Sequence, residues 1–311
     1  MAERVLVTGA TGFVGRAVIA PLLQRGFQVH AASLSLPRPA GEGRGGGRGH
    51  LTHHAVDLLD PAATRALLRD LRPTHLLHCA WYVAHGKFWT APENADWLEA
   101  SDALAAAFAE SGGRRFVGLG TCAEYAGAAG ADDQPWPETR AIAPATPYGR
   151  AKAQLAARLA QRPGTAWARL FHLFGPGEHP DRLVPSIILA LQQGREARCA
   201  SGRPIRDVSS TGFVGRALAA LLASDVTGPV NIASGEGRAI ADVARLLAEA
   251  VGRPDLLRLG ALPDRPNEVP CMIADVTRLR AEVGFTEPPD VEKDLRGMVG
   301  AAGIEPATLR V

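Results

Sequence analysis

Arg4-Val-Leu-Val-Thr-Gly9-Ala-Thr-Gly12-Phe-Val-Gly15 is a short apolar run, rich in β-branched residues, that stops at a glycine and meets two more at three-residue spacing. A helical pattern continues from it to about Arg25. Glycines there let the backbone turn tightly and approach a phosphate, while the first turn of the next helix offers free N–H groups and partial positive charge. A glycine triplet alone would also suit a plain strand–helix connection. Its place at the first such junction of an alternating chain assigns Gly9, Thr11, Gly12, Phe13, Val14 and Gly15 to a dinucleotide.

The alternation continues beyond that junction. Strand-like segments recur at Phe27–Ala32, His54–Val56, His75–Cys79, Phe116–Gly120 and Ala166–Phe171. Helical patterns lie between them at Pro61–Leu71, about Asn94–Ser111 and Pro147–Ala160. Strands alternating with helices build a parallel sheet covered on both faces, so the fold class is α/β, a Rossmann-type doubly wound sheet. After Gly175-Pro-Gly177 the pattern becomes irregular, with helices expected at Leu183–Gln193, Phe213–Ser224, Ile240–Val251 and Val276–Val283 and a strand at Val230–Ala233. This gives residues 1–172 as the NAD(P)-binding domain, with about 205–232 returning to it. Residues 173–204 and 233–311 then form a smaller C-terminal substrate-binding lobe. Thr11-Gly-Phe-Val-Gly-Arg-Ala17 recurs letter for letter at Thr211–Ala217. The second copy lacks a leading glycine at the matching spacing, so it reads as a helix start and not a second nucleotide site.

Composition narrows the function. The 311 residues are 46% hydrophobic, enough for a substantial core, and carry 34 Lys+Arg against 32 Asp+Glu. Near-neutral charge argues against a nucleic-acid binder, and the one basic loop, Gly43-Arg-Gly-Gly-Gly-Arg-Gly49, has no interleaved aromatics. No apolar run approaches the ~18 residues of a membrane helix, and the start lacks a signal-peptide pattern, so a cytoplasmic protein is expected. Cys79, Cys122, Cys199 and Cys271 form no CxxC pair, so neither a disulfide framework nor a metal site is expected.

Within the basic residues, 31 are Arg and only Lys87, Lys152 and Lys293 are Lys; the tyrosines are Tyr82, Tyr125 and Tyr148. Tyr148 and Lys152 fall four apart at the start of an expected helix, on one face. Lys152 is thereby expected to bring its ammonium near the phenol, lower its pKa for acid/base work and hydrogen-bond a nicotinamide ribose. Thr121, at the end of the Phe116 strand, would supply a partner hydroxyl. The second strand runs into His30-Ala-Ala-Ser-Leu-Ser-Leu-Pro-Arg38 without an acidic residue. Ser33, Ser35 and Arg38 suit a ribose 2′-phosphate, which favours NADP over NAD; NAD remains possible if it binds without the carboxylate. The loop Trp81-Tyr-Val-Ala-His-Gly-Lys-Phe-Trp89 follows the fourth strand at the substrate edge of the sheet, and Tyr82, His85 and Lys87 are its candidate ligands.

Gly9/Gly12/Gly15, Asp57-Leu58, Thr121 and Tyr148-xxx-Lys152 together resemble the extended short-chain dehydrogenase/reductases, the nucleotide-sugar epimerase/dehydratase/reductase superfamily. Arg169-Leu-Phe-His-Leu-Phe-Gly-Pro176, Arg206-Asp207 and Arg265-Pro-Asn-Glu268 extend the resemblance over nearly the whole chain. It implies that Asp57 and Leu58 contact adenine, that Ala80 and Leu170 line the cofactor, and that Cys122 and His172 face the substrate. It further implies that Arg206 and Arg265 grip a diphosphate, for which the guanidinium fork is suited. Sugar 4,6-dehydratases of this superfamily carry Asp-Glu after the catalytic Ser/Thr, where this chain has Cys122 and Ala123, so that chemistry is not expected. The customary His after Arg-Asp is Ser210 here. What remains is an NADP(H)-dependent reductase of a 4-keto-6-deoxyhexose linked to a nucleotide. A 4-epimerase with retained NAD is the alternative, followed by a non-catalytic NAD(P)-sensing protein. Relatives commonly dimerise through the helices expected near 94–111 and 147–160, so a homodimer is expected.

Overall fold

The computed structural model describes residues 3–35, 50–127, 134–266 and 268–300. In chain order the strands are β1 (Arg4–Thr8), β2 (Gln28–Ser33), β3 (Leu51–Ala55), β4 (His75–His78), β5 (Arg115–Thr121), β6 (Thr165–Leu170) and β7 (His172–Phe174). They continue as β8 (Ala197–Arg198), β9 (Ile205–Ser210), β10 (Gly228–Ile232), β11 (Gly237–Ala239), β12 (Leu257–Arg258) and β13 (Cys271–Met272). The α-helices are α1 (Gly15–Gln24), α2 (Pro61–Leu71), α3 (Glu93–Glu110), α4 (Pro147–Leu159), α5 (Leu183–Gln192), α6 (Thr211–Leu222), α7 (Ile240–Val251), α8 (Thr277–Ala281) and α9 (Val291–Gly300). Arg38 and the Gly43–Gly49 run lie outside the described residues.

Seven strands form one parallel sheet in the order β3-β2-β1-β4-β5-β6-β10. Every residue of β4 and β6 is buried, as a parallel sheet covered on both faces requires. One face packs Val18 and Leu22 of α1 and the apolar face of α6. The other packs α2, α3 and α4 through Leu68, Leu98, Leu104, Phe108, Leu155 and Leu159. The order reverses between β1 and β4, so the crevice at that switch point opens at the carboxyl ends of the strands.

The smaller C-terminal part has its own core from α5, α7 and α9, with Ile187, Ile188, Leu247 and Leu295. A small sheet joins it to the large one: β9 pairs with β7, β11 and β13. Within 205–232, β9 therefore lies in the small sheet while β10 completes the large one. Sequence pattern does not announce β9 because Arg206, Asp207, Ser209 and Ser210 are polar yet buried. Asp207 is satisfied there, accepting from the backbone and hydroxyl of Ser234 at 2.9 and 2.6 Å and from the Gly235 N–H at 2.8 Å.

The repeated heptapeptide opens two helices that pack on each other. At Gly215 an added Cβ would lie 2.3 Å from the Ala17 carbonyl oxygen, so only glycine permits this helix contact. Ser210 caps α6, its hydroxyl accepting from the Phe213 N–H at 3.2 Å, and the helix start is buried. Gly215→Ala should lower stability by about 1–3 kcal/mol through overpacking. Gly297→Ala, on the exposed face of α9 with open space around it, should raise it by up to ~1 kcal/mol. Denaturant titration of both variants checks the pair of opposite signs.

Candidate active site

The glycine turn is built for close approach. Gly9 has φ +63°, and a Cβ there would lie 2.7 Å from the Ala80 nitrogen. At Gly15 a Cβ would lie 2.1 Å from the Gly9 carbonyl oxygen. The start of α1 carries no side-chain cap and no acidic residue in its first turn, while Thr11 and Gly12 are exposed beside it. A bare helix N-terminus over a glycine turn is a fit cradle for a pyrophosphate. Asp57, whose carboxylate accepts from the Leu59 N–H at 2.9 Å, and buried Leu58 follow β3 at the same edge. Ser33 is buried and donates to the Ser35 carbonyl at 2.8 Å, so its hydroxyl is already engaged.

Thr121 ends β5 and caps the single turn Cys122–Glu124, accepting from the Ala123 N–H at 3.2 Å. Glu124 returns to accept from the Thr121 N–H at 2.8 Å. Thr146 caps α4 through the Gly149 N–H at 3.1 Å with Pro147 at the first helical position, which sets Tyr148 in the first turn. A Cβ on Gly149 would lie 2.5 Å from the Ala123 carbonyl oxygen, so glycine is what lets α4 reach this turn and bring Tyr148 to Thr121. Burial pushes the phenol above its ordinary range, with Glu124 and Cys122 adding to the effect; a hydrogen bond with Thr121 and the Arg182 guanidinium oppose it.

Lys152 departs from expectation. Its ammonium donates to the Leu119 carbonyl at 2.8 Å and lies 3.7 Å from the centre of the Trp81 ring. Burial brings it down to about 7, against the pull of Glu124 and Cys79. The expected lowering of the phenol by a neighbouring ammonium is thus replaced by burial of both groups, which favours each in its neutral form.

The loop after β4 folds over this centre. Phe88 and Trp89 meet the Tyr148 ring edge-on at 4.9 and 5.6 Å, and the Tyr148 N–H donates to the Trp89 carbonyl at 3.2 Å. Tyr82 is half-buried against the same core, His85 stacks on His179, and Lys87 is exposed. Across the crevice, burial with Arg206 and Arg182 lowers His172 to about 3, so it is neutral at ordinary pH. Arg206 is buried, donating to Glu268 at 3.0 Å and to the Ile205 carbonyl at 2.8 Å. Arg265 stands exposed on a cleft of about 430 Å³ that it shares with Arg203, Asp264 and Glu268. Ala80 and Leu170 are buried at the strand ends.

The sequence profile of the NAD dependent epimerase/dehydratase family matches residues 5–233. The chain belongs to that family. Its similarity to the dTDP-4-dehydro-6-deoxy-D-allose reductase of Streptomyces bikiniensis is 26% identity, covering 92% of each chain. With the dTDP-6-deoxy-L-talose 4-dehydrogenase (NAD(P)(+)) of Kitasatospora kifunensis it is 29%, covering 97% of this chain and 96% of the relative. Among solved structures, Bordetella bronchiseptica WbmG in complex with NAD superposes with TM-score 0.80 at 22% identity, covering 96% of this chain and 94% of that one. MoeE5 in complex with UDP-glucose and NAD gives 0.77 at 26% identity, covering 96% and 98%.

In this family member, Glu178 and Arg182 escaped the sequence reading. Arg182 acts electrostatically on both Tyr148 and His172, and its guanidinium pairs with buried Glu178 at 2.7 Å. Arginine is so abundant in this chain that one more, ahead of an apolar helix, carried no signal. Glu124 is completely buried and paired with Arg169 at 2.9 Å. Arg169→Met should cost about 3–5 kcal/mol in denaturant unfolding, because it strands a buried carboxylate. Lys152 gives a pH signature: between about 7 and 10.5 the unfolded chain holds a proton there that the folded chain has lost, so stability rises with pH. Unfolding of wild type and Lys152→Met across that window should show wild type gaining relative to the variant as pH increases.

Proposed function

We propose that this protein is an NADP(H)-dependent oxidoreductase that reduces the 4-keto group of a nucleoside-diphosphate 4-keto-6-deoxyhexose, with Tyr148 as general acid. The observation that carries the reading is the meeting of Tyr148 and Thr121 at the carboxyl end of β5, beside the glycine cradle, with the phenol held protonated at neutral pH. A protonated phenol is the form that reduction of a ketone consumes. Two relatives, matched over nearly their full length, are named for redox reactions on dTDP-linked deoxysugars. Cys122 stands where a dehydratase needs a carboxylic acid, and burial pushes its thiol up to about 12, leaving no acid/base for elimination at neutral pH.

Gly9, Gly12, Gly15 and the open start of α1 would hold the cofactor diphosphate, Asp57 and Leu58 its adenine, and Ala80, Leu170 and Lys152 its nicotinamide half. When bound, the cofactor supplies the hydride. Tyr148 gives its proton to the oxygen of the reacting carbonyl, while Thr121 hydrogen-bonds that oxygen and holds it in line. Arg206, fixed in place by Glu268, and Arg265 on the cleft rim hold the diphosphate of the substrate. His172, Cys122, Tyr82, His85 and Lys87 border the sugar. NADP preference is supported by the absence of an acidic residue at the end of β2. A homodimer through α3 and α4, which lie side by side, is what the resemblance implies.

Incubation with NADPH and a panel of nucleotide-linked 4-keto-6-deoxysugars should show cofactor oxidation matched by reduced sugar. Sugar interconversion without net oxidation would establish the 4-epimerase instead. Tyr148→Phe should lower kcat by roughly 10²–10⁴-fold with NADPH affinity nearly unchanged. Tighter binding of NADH than NADPH would reverse the cofactor assignment.

A further inference from the structure

The loop over Tyr148 is pinned at its base and meets a second loop at its tip. Buried Asn94 accepts from the Trp81 indole N–H at 2.8 Å and donates to the Phe88 and Ala91 carbonyls at 2.7 and 2.9 Å. At the tip, exposed His85 meets His179 of the β7–α5 loop. The two rings lie 4.3 Å apart between centroids and only 11° from parallel. Asp181 completes the group, its carboxylate 3.8 Å from His179 Nδ1. One donor atom from each of the three side chains lies within 4.8 Å of the other two.

We propose that His85, His179 and Asp181 bind a divalent transition metal of zinc-like preference, which clasps the loop over Tyr148 to the C-terminal lobe. Two imidazoles and a carboxylate are the donor set that such ions select over magnesium or calcium. Bonds of about 2.0–2.2 Å place tetrahedral donors roughly 3.4 Å apart, so the side chains, carried on two loops, need to close by about 1 Å. Electrostatics permit it. Arg182, the adjacent cation, is tied to the buried Glu178 carboxylate, and the Asp181 charge faces the imidazoles. The three donors leave a coordination position for water. The histidines are 94 positions apart in the chain, so no ligand spacing in the sequence announces the site.

Calorimetric titration of untagged, EDTA-treated protein with Zn²⁺ tests the assignment without reference to turnover. Wild type should bind one equivalent and unfold at a higher temperature with zinc present. His179→Ala and the near-isosteric Asp181→Asn should each weaken that binding by about tenfold or more and abolish the thermal shift, while unfolding like wild type without metal. His54→Ala is the control, because His54 forms a separate pair with His30 at 3.1 Å on β2 and β3. Its affinity should be unchanged. Undiminished binding by both His179→Ala and Asp181→Asn, or loss only in His54→Ala, would overturn the proposal.

Discussion

The Glu124–Arg169 ion pair is the constraint on which the active-site wall rests. A carboxylate with no solvent exposure is tolerable only if its lone pairs are filled, and here they are. Glu124 accepts from the Arg169 guanidinium, the Trp167 indole and the Thr121 N–H. Arg169 in turn donates to the Tyr125 hydroxyl and the Glu138 carbonyl, and Tyr125 donates to Asn231 on β10 at 2.6 Å. One network therefore joins the ends of β5, β6 and β10. The same side chain that neutralises Arg169 fixes the turn presenting Thr121, so the placing of that hydroxyl and the integrity of the core share one interaction.

Burial sets the chemistry of the groups around that network. It raises Tyr148 and Cys122 and lowers Lys152 and His172, each toward its neutral form. The groups nearest Tyr148 are consequently held neutral beneath Trp81, Phe88 and Trp89. In such a medium a proton or an anionic group arriving with substrate meets fields little weakened by water. The aromatic loop between β4 and α3 maintains this state by covering Tyr148, and its tip touches the other lobe through His85 and His179.

Much of the fold was legible because it is local. β1, the glycine turn and α1 follow from apolar spacing and glycine position, and α2 and α4 begin where the pattern put them, at Pro61 and Pro147. In the large sheet the ends of the predicted strands shift by at most two residues, except that β3 begins three residues early, at Leu51. The small sheet and α9 were not legible. Four of the six residues of β9 are polar, and their burial makes sense only once Ser234, Gly235, Ala274 and Glu268 converge on Asp207 and Arg206 from distant segments.

Tyr148 and Lys152 stand out in the sequence by scarcity and spacing, since a helix turn brings positions four apart together whatever surrounds it, and Thr121 by its place at the end of a strand. Their protonation was not, because spacing suggests an ammonium–phenol pair while desolvation depends on what covers them. Gly149 shows the same division: the sequence gives a glycine after the tyrosine, and only the packing of α4 on the Ala123 carbonyl shows why no other residue fits. Local backbone geometry thus fixed the glycine turn and the placing of Tyr148 and Lys152 four apart on α4. Long-range contacts, which no short window of residues encodes, decided the buried charge network, the proton affinities and the meeting of the two loops.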